Sequence, residues 1–321
     1  MVYPNADAAA FSNWMLYTSW QTLTPSLTAL IAAINTAALA GNSVTDQQWI
    51  NFTQATAWRR TFYDAWVIGN TPRSAIPVGT CDFWLSSQYL TYNTAGPTGT
   101  VRATGPVQTL LDLNGGAVTA ANANNGREPF LVVDNSRTIA KQLFGFNTTG
   151  LSSFILSNAG ALVQNKTAYT VFLVAKATAY STTPCAFYFS AGATVSKERI
   201  SLNVNTSGNW LAKATRLDAD TAGTCTGSAA TGLLQIICFT MDYSTGQGNI
   251  YVNGVLKGTT NGMTTTGSTS NTASSTVAIA TLNSAQIFTG LISDVLGFKT
   301  ALSAANVLTL SDWLNSMRAC Y

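Results

Sequence analysis

Short β-type segments separated by turn residues constrain the fold of this chain more than any other feature of its sequence. From Cys81 onward, runs rich in Val, Ile, Phe and Tyr alternate with turns of Gly, Asn, Thr and Ser. This alternation is typical of antiparallel all-β domains. The predicted strands are 129–134, 169–176, 185–190, 200–204, 233–241, 250–255, 277–282 and 287–299. We therefore expect a mainly β, two-sheet antiparallel sandwich.

Turn chemistry refines this expectation. Asn253-Gly254 lies between two apolar runs, and this dipeptide supplies the two positive-φ positions of a type I′ hairpin turn. Three stretches rich in small polar residues are predicted to be long loops: 93–107, 114–127 and 258–275. A short final helix is predicted after Ser303, which is a suitable N-cap. Its apolar face would carry Val307, Leu310, Leu314 and Met317.

The first 70 or so residues have a different pattern and are predicted to be helical. Thr24-Pro25 is a helix start, and an apolar series at helical spacing runs from Leu27 to Ile34 before Gly41. Thr45 and Gln48 have capping-box spacing and open a further predicted helix. A linker with two prolines follows, ending at Pro77. The chain is thus divided into a helical docking segment, 1–77, and a sandwich with a short C-terminal helix, 78–321.

The helical segment is unusually rich in tryptophan. Five of the eight tryptophans precede residue 70: Trp14, Trp20, Trp49, Trp58 and Trp66. So small a segment can bury them only in part by itself. Two interpretations remain open. The tryptophans form the core of the segment and its interface with the sandwich, or they dock on another chain. On the second interpretation they are docking candidates.

Composition excludes several classes of partner. Charged residues make up 9% of the chain, against about 25% in an average soluble domain. The net charge is +3, and no basic cluster extends beyond Arg59-Arg60, so nucleic acid is not an expected partner. The N-terminus lacks the charged region of a signal peptide, and the apolar stretch 27–40 is shorter than the ~20 residues of a spanning helix. We expect synthesis in a cytoplasm, without secretion or membrane insertion.

The five cysteines are scattered and form no C-x-x-C pair. At least one must be free within the chain. Cys185 and Cys238 lie in apolar runs and are predicted to be buried thiols.

Four stretches, in order, resemble the concanavalin A-like lectin/glucanase superfamily in its laminin-G/pentraxin-like branch. They are N-G-R-E-P at 125–129 with V-D-N at 133–135, Y-T-V-F-L-V at 169–174, M-D-Y at 241–243 with I-Y-V-N-G at 250–254, and F-T-G-L-I-S-D-V at 288–295 with A-L-S at 301–303. The resemblance implies a two-sheet antiparallel jelly roll. Asn135 stands where the family usually has Gly, Asp294 stands where Glu is commoner, and the first 70 residues have no counterpart. In viruses of bacteria such domains occur in virion proteins.

Catalysis is not expected. The chain has no histidine, which excludes Ser-His-Asp and Cys-His nucleophiles and His-ligated metals. A glycoside hydrolase needs two close carboxylates, yet the two glutamates, Glu128 and Glu198, are seventy positions apart. An Asp–Asp or Asp–Glu pair assembled across strands would be required instead.

Two binding features stand out, each beside an ordinary alternative. Asp218 and Asp220 flank one alanine and can offer oxygen ligands to Ca²⁺, or they are a solvated polar turn. Trp210 can stack on a sugar, or it is a core or edge aromatic. No cofactor is expected.

The sequence therefore predicts a non-enzymatic structural protein of a bacteriophage virion, as a capsid decoration protein or a tail or fibre component. Its partners would be other virion subunits and further copies of itself. The alternative is a glycan-binding receptor-recognition module. A third hypothesis, a glycoside hydrolase, requires the carboxylate pair.

Overall fold

The structure is a computed structural model. It describes residues 2–3, 44–45, 76–87, 105–106, 109–113, 118–121, 129–134, 141–146, 152–180, 183–191, 194–260, 266–270, 277–281, 286–318 and 320–321. In chain order the strands are β1 Val2–Tyr3, β2 Val44–Thr45, β3 Phe83–Ser86, β4 Gly105–Pro106, β5 Thr109–Leu111, β6 Thr119–Ala121, β7 Phe130–Asp134, β8 Lys141–Phe146, β9 Phe154–Ser157, β10 Ala168–Ala179, β11 Cys185–Ala191, β12 Thr194–Val204, β13 Asn209–Ala214, β14 Gly223–Ala229, β15 Gln235–Asp242, β16 Gln247–Val252, β17 Val255–Thr260, β18 Val277–Ile279 and β19 Thr289–Phe298. A 3₁₀ turn spans Gly160–Val163, and one α-helix, α1, spans Ala304–Arg318.

The strands form two large antiparallel sheets. The nine-stranded sheet has the order β17-β16-β15-β10-β19-β8-β7-β4, and β3 also pairs with β19. The eight-stranded sheet has the order β14-β13-β12-β11-β18-β9-β6-β5. Since alternate side chains of a strand point to opposite faces, one set from each sheet meets between the sheets in a common apolar core. The predicted two-sheet antiparallel sandwich is confirmed.

The central strands of the nine-stranded sheet are apolar on both faces. In β10, Val171 and Leu173 belong to the core between the sheets, whereas Phe172 and Val174 point the other way and are also fully buried. Helix α1 contacts β15 and buries Val307, Leu310 and Leu314. The outer face of the nine-stranded sheet is therefore a second apolar layer on which α1 packs.

The helix starts as predicted, and of its predicted apolar face Val307, Leu310 and Leu314 are buried while Met317 is only partly buried. The backbone N–H of Asn306 donates to the Ser303 hydroxyl at 3.2 Å, which makes Ser303 the N-cap. The Trp313 ring meets Trp84 of β3 edge-on, with 5.5 Å between ring centroids. These contacts join the end of the chain to the first strand of the sandwich.

A buried ion pair strengthens this junction. Arg318 lies in the last turn of α1 and contacts Asp294 of β19 through two bonds of 2.6 and 2.9 Å. Asp294 is fully buried and also accepts bonds from the Trp84 indole at 2.9 Å and the Ser293 hydroxyl at 2.6 Å. Burial alone would raise the pKa of Asp294, but Arg318 and these donors hold it below its usual value.

The structure corrects several details of the sequence prediction. Strands β3, β5, β8, β9, β13 and β14 were not predicted, and the predicted loops at 93–107, 114–127 and 258–275 contain β4, β6 and the end of β17. Within the first 77 residues, β1 pairs with β2, where only helices were predicted. The predicted helices of this segment lie outside the described residues.

Two local predictions are confirmed. Asn253 and Gly254 have φ of 53° and 75°, so they form the positive-φ turn that joins β16 to β17. Cys185 and Cys238 are buried free thiols. Burial raises the pKa of both thiols.

Candidate functional site

Trp210 lies inside the sandwich. It is the second residue of β13, where burial alternates along the strand, and its side chain is fully buried. The ring stacks on Phe288 with 6.4 Å between centroids, and the indole N–H donates to the Gln235 side-chain oxygen at 2.9 Å. No face of this ring is open to a sugar. Trp210 is a core aromatic, and its suggested role as a sugar-stacking residue is not supported.

Asp218 and Asp220 lie in the segment between β13 and β14, and each is bound by its own arginine. Asp218 accepts from the Arg199 guanidinium at 2.8 Å, and Asp220 forms an ion pair with Arg216 at 3.0 Å. Asp220 also accepts from the backbone N–H of Leu217 at 3.1 Å. The guanidinium groups offset the negative charge of both carboxylates, which weakens them as ligands for a calcium ion. In the described part of the chain, no three acidic, cysteine or histidine side chains form a cluster able to hold a metal.

Arg199 anchors this end of the sandwich. Its side chain is buried, and one guanidinium nitrogen bonds both Asp218 and the Ser270 hydroxyl, the latter at 3.0 Å. Its backbone carbonyl accepts the buried hydroxyl of Tyr243. Burial raises the pKa of that tyrosine, although the Arg199 charge opposes the shift. The Arg199–Asp218 pair joins β12 to the connection between β13 and β14, and the Arg216–Asp220 pair lies within that connection.

At the end of the eight-stranded sheet away from Arg199, the chain forms a turn that is held by hydrogen bonds. Val204 pairs with Trp210 at this end, and the turn 205–208 joins β12 to β13. The Asn205 side-chain oxygen accepts the backbone N–H groups of Ser207 and Asn209 at 3.0 and 2.9 Å. The backbone N–H of Ala230 donates to the Gly208 carbonyl at 2.7 Å. The turn is thereby held to the segment that follows β14.

Tyr180, which directly follows β10, covers this turn. A Cβ on Gly208 would lie 2.7 Å from a carbon of the Tyr180 ring, so the ring occupies space that only glycine leaves free. Gly208 also has φ of 78°, a conformation that favours glycine. The Tyr180 side chain nevertheless keeps 37% of its surface exposed. The exposed aromatic at this turn is therefore Tyr180, not Trp210.

Sequence reasoning missed Tyr180 and the arginine–aspartate pairs. Tyr180 follows a long apolar run and precedes Ser-Thr-Thr-Pro, which marks the strand end but not the position of the ring. The partners of Arg199 and Arg318 lie 19 and 24 positions away in sequence. The docking candidates Trp14, Trp20, Trp49, Trp58 and Trp66 all lie outside the described residues. Among the residues that are described, no helix is long and apolar enough to span a membrane.

The fold defines this chain as a two-sheet antiparallel β-sandwich with one covering helix. Residues 149–308, just under half of the chain, match the family model described as "Concanavalin A-like lectin/glucanases superfamily". The superfamily resemblance stated from the sequence motifs is confirmed for this part of the chain. A comparison with curated proteins finds none whose sequence matches.

Several solved structures are similar at low identity. A Trypanosoma rangeli sialidase in complex with the inhibitor DANA aligns with a TM-score of 0.48 at 15% identity, over 73% of this chain and 33% of the sialidase chain. The botulinum neurotoxin type G receptor binding domain aligns with a TM-score of 0.47 at 14% identity, over 74% of this chain and 52% of that one. The CBM40 of a Ruminococcus gnavus IT-sialidase, bound to α2,6 sialyllactose, aligns with a TM-score of 0.39 at 15% identity, over 48% of this chain and 87% of the CBM40 chain. This chain thus spans about a third of the sialidase and about half of the neurotoxin domain.

Proposed function

We propose that this chain is a non-enzymatic glycan-binding module. The observation that carries the proposal is the match of residues 149–308 to a superfamily whose description names lectins and glucanases. The fold supports it as well, because the ends of the eight-stranded sheet present amide and hydroxyl groups on turns held by hydrogen bonds. Such groups supply the directional bonds by which a protein orients a small polar ligand.

Four described aspartates are held in ion pairs, which favours the lectin half of that description over the glucanase half. Glycoside hydrolysis requires two carboxyl groups about 5–9.5 Å apart, with a free acid or base role for each. Asp218, Asp220 and Asp294 are instead each bound to an arginine, and Asp82 is bound to Lys299 at 2.7 Å. These ion pairs and the absence of histidine from the chain support binding without catalysis.

A glycan array probed with the full chain tests this function. We expect saturable binding to at least one oligosaccharide, competed by the same free oligosaccharide. Incubation with the bound oligosaccharide should leave it uncleaved, as judged by mass spectrometry. An array without specific binding would overturn the proposal, and cleavage would favour the hydrolase hypothesis.

A structural role in a bacteriophage virion is the second proposed function, and glycan recognition is compatible with it. It rests on the five tryptophans before residue 70 and on the small charged fraction, which together favour a segment covered by other subunits. Mass spectrometry of purified particles should then detect the chain, and light scattering should show it assembling at high concentration. A monodisperse monomer that is missing from every particle would contradict this role and its virion location.

A further inference from the structure

Tyr180 has the structural properties of a rigid stacking surface. The Cε2, Cζ and Oη atoms of its ring lie against Gly208, whose missing Cβ permits that approach, and 37% of the residue remains exposed. The turn beneath it is fixed by the bonds that Asn205 accepts and by the bond from Ala230 to the Gly208 carbonyl. A ring held in this way loses little conformational entropy when a ligand packs on its exposed part.

Further hydrogen bonds, made by the Gln235 side chain, stabilise the segments next to this turn. Gln235 accepts the buried Trp210 indole N–H at 2.9 Å and the backbone N–H of Thr231 at 3.3 Å, and its amide donates to the Ala229 carbonyl at 3.2 Å. Beside Tyr180, Thr183 has φ of 53°, a left-handed conformation that is unfavourable for a β-branched residue. Strained backbone of this kind is concentrated at functional sites.

Three described segments meet at this turn: T-P at 183–184, N-T-S-G at 205–208 and A-T-G-L-L at 230–234. The Pro184 carbonyl accepts the backbone N–H of Val204 at 3.0 Å, and the backbone N–H of Ala230 donates to the Gly208 carbonyl. These segments contain hydroxyl, amide, aliphatic and backbone groups and no Lys, Arg, Asp or Glu. The charged pairs of Arg199 and Arg216 lie at the opposite end of the sheet.

We propose that Tyr180 is the stacking platform for an uncharged pyranose ring, an inference that rests on the proposed glycan-binding function. The electron-rich face of the phenol attracts the weakly positive C–H groups on the apolar face of such a sugar. The hydroxyl and amide groups of the 205–209 turn can bond the sugar hydroxyls at its edge. We expect a neutral sugar to be preferred over an acidic one, because these three segments contain no Lys or Arg to pair with a carboxylate.

Ligand-observed saturation-transfer NMR on the full chain tests the site and the ligand class together. The probes are methyl β-glucopyranoside, methyl β-galactopyranoside and N-acetylglucosamine, with glucuronic acid as the charged comparison. We expect transfer to the C–H protons of at least one neutral sugar. Tyr180→Ala and Tyr180→Leu should each weaken binding by about tenfold or more, since both remove the aromatic face.

Two variants serve as controls. Tyr180→Phe keeps the ring and should stay within about threefold of the parent chain. Tyr321→Ala removes a tyrosine that is 47% exposed and lies beyond α1, and it should also leave binding within about threefold. Circular dichroism and thermal unfolding confirm that each variant is folded.

The outcomes separate the inference from the function on which it rests. If Tyr180→Ala and Tyr180→Leu bind like the parent chain, the glycan site lies elsewhere and the inference is overturned, while the glycan-binding function stands. Preference for glucuronic acid over every neutral sugar would overturn the ligand class. If the parent chain binds no probe and no oligosaccharide on the array, both the inference and the function fail.

Discussion

Asp294 and Arg318 form a buried ion pair, and removal of either side chain should lower the free energy of unfolding substantially. Their side chains are 0% and 4% exposed, and the Trp84 indole and the Ser86 hydroxyl complete the cluster. Removing one member of a buried ion pair leaves an uncompensated charge in a low-dielectric interior, which costs more than the pair itself contributes. The motif that pointed to the superfamily places Asp294 where Glu is commoner, and here the shorter carboxylate reaches the guanidinium directly.

Replacing Arg318 by Met should therefore destabilise the chain by about 3–5 kcal/mol at pH 7. In the parent chain the lowered pKa of Asp294 adds stability above about pH 4, which is lost as the pH falls through the folded-state pKa. Without Arg318, burial raises that pKa, so the carboxyl is protonated on folding and stability decreases as the pH rises. The destabilisation should thus be largest at neutral pH and should shrink toward acid pH.

Urea unfolding from pH 4 to pH 8 measures this difference. Lys299→Met is the control, because its pair with Asp82 is partly exposed and such pairs contribute about 1 kcal/mol or less. A loss in Arg318→Met that does not vary with pH would mean that the aliphatic packing of the arginine matters, not its charge.

Two buried tyrosines should respond in opposite ways to loss of their hydroxyls. Among the described residues the buried Tyr169 hydroxyl has no hydrogen-bond partner, whereas the Tyr243 hydroxyl donates to the Arg199 carbonyl. Because a buried hydroxyl without a partner carries a desolvation cost, Tyr169→Phe should be neutral or stabilising by up to about 1 kcal/mol. Tyr243→Phe should cost about 0.5–1.5 kcal/mol. Chemical denaturation compares them directly, and an equal loss in both would reveal a bonding partner for Tyr169.

At the scale of elements, α1 covers the outer face of the nine-stranded sheet and keeps it from solvent. That face carries Phe172 and Phe298, whose rings meet edge-on with 6.2 Å between centroids. A sheet that is apolar on both faces is stable in water only when both are covered. Helix α1 is therefore part of the sandwich and not an appendage.

Two leucines of α1 test this role with the same substitution. Leu314 is fully buried, so Leu314→Ala should cost about 2–5 kcal/mol. Leu308 is 47% exposed on the same helix, and Leu308→Ala should change the free energy of unfolding by about 0.5 kcal/mol or less. Urea denaturation of the two variants gives the comparison, and equal costs would show that the helix does not pack on the sheet as described.

At the scale of the whole molecule, the described core between the sheets is built from residues that follow the linker, beginning at Phe83. Both sheets and α1 are built from residues after 80, and the predicted boundary at 77/78 falls just before β3. The segment 1–77 remains, by prediction, the part that docks on other subunits through its tryptophans.

A shortened chain that begins at Val78 should accordingly stay soluble and β-rich, yet lose assembly. Ile76 is 6% exposed, so a second chain beginning at Ile76 shows whether that side chain adds stability. Circular dichroism, thermal unfolding and light scattering follow folding and assembly separately. Unfolding of both shortened chains would place the front segment in the sandwich core, and assembly like that of the full chain would place docking in the sandwich.

The sequence alone determined the features that depend on neighbours along the chain. Runs rich in Val, Ile, Phe and Tyr between turn residues predicted several strands, Asn253-Gly254 predicted its hairpin turn, and Ser303 with its following apolar face predicted α1. Each of these features depends on local backbone chemistry. Only the tertiary structure decided what depends on distant contacts. It placed Trp210 in the core and Tyr180 at the surface, since the exposure of an aromatic ring is set by how two sheets stack. It also paired Asp218 with Arg199 and Asp294 with Arg318, since these partners are far apart in sequence and meet only in the folded chain.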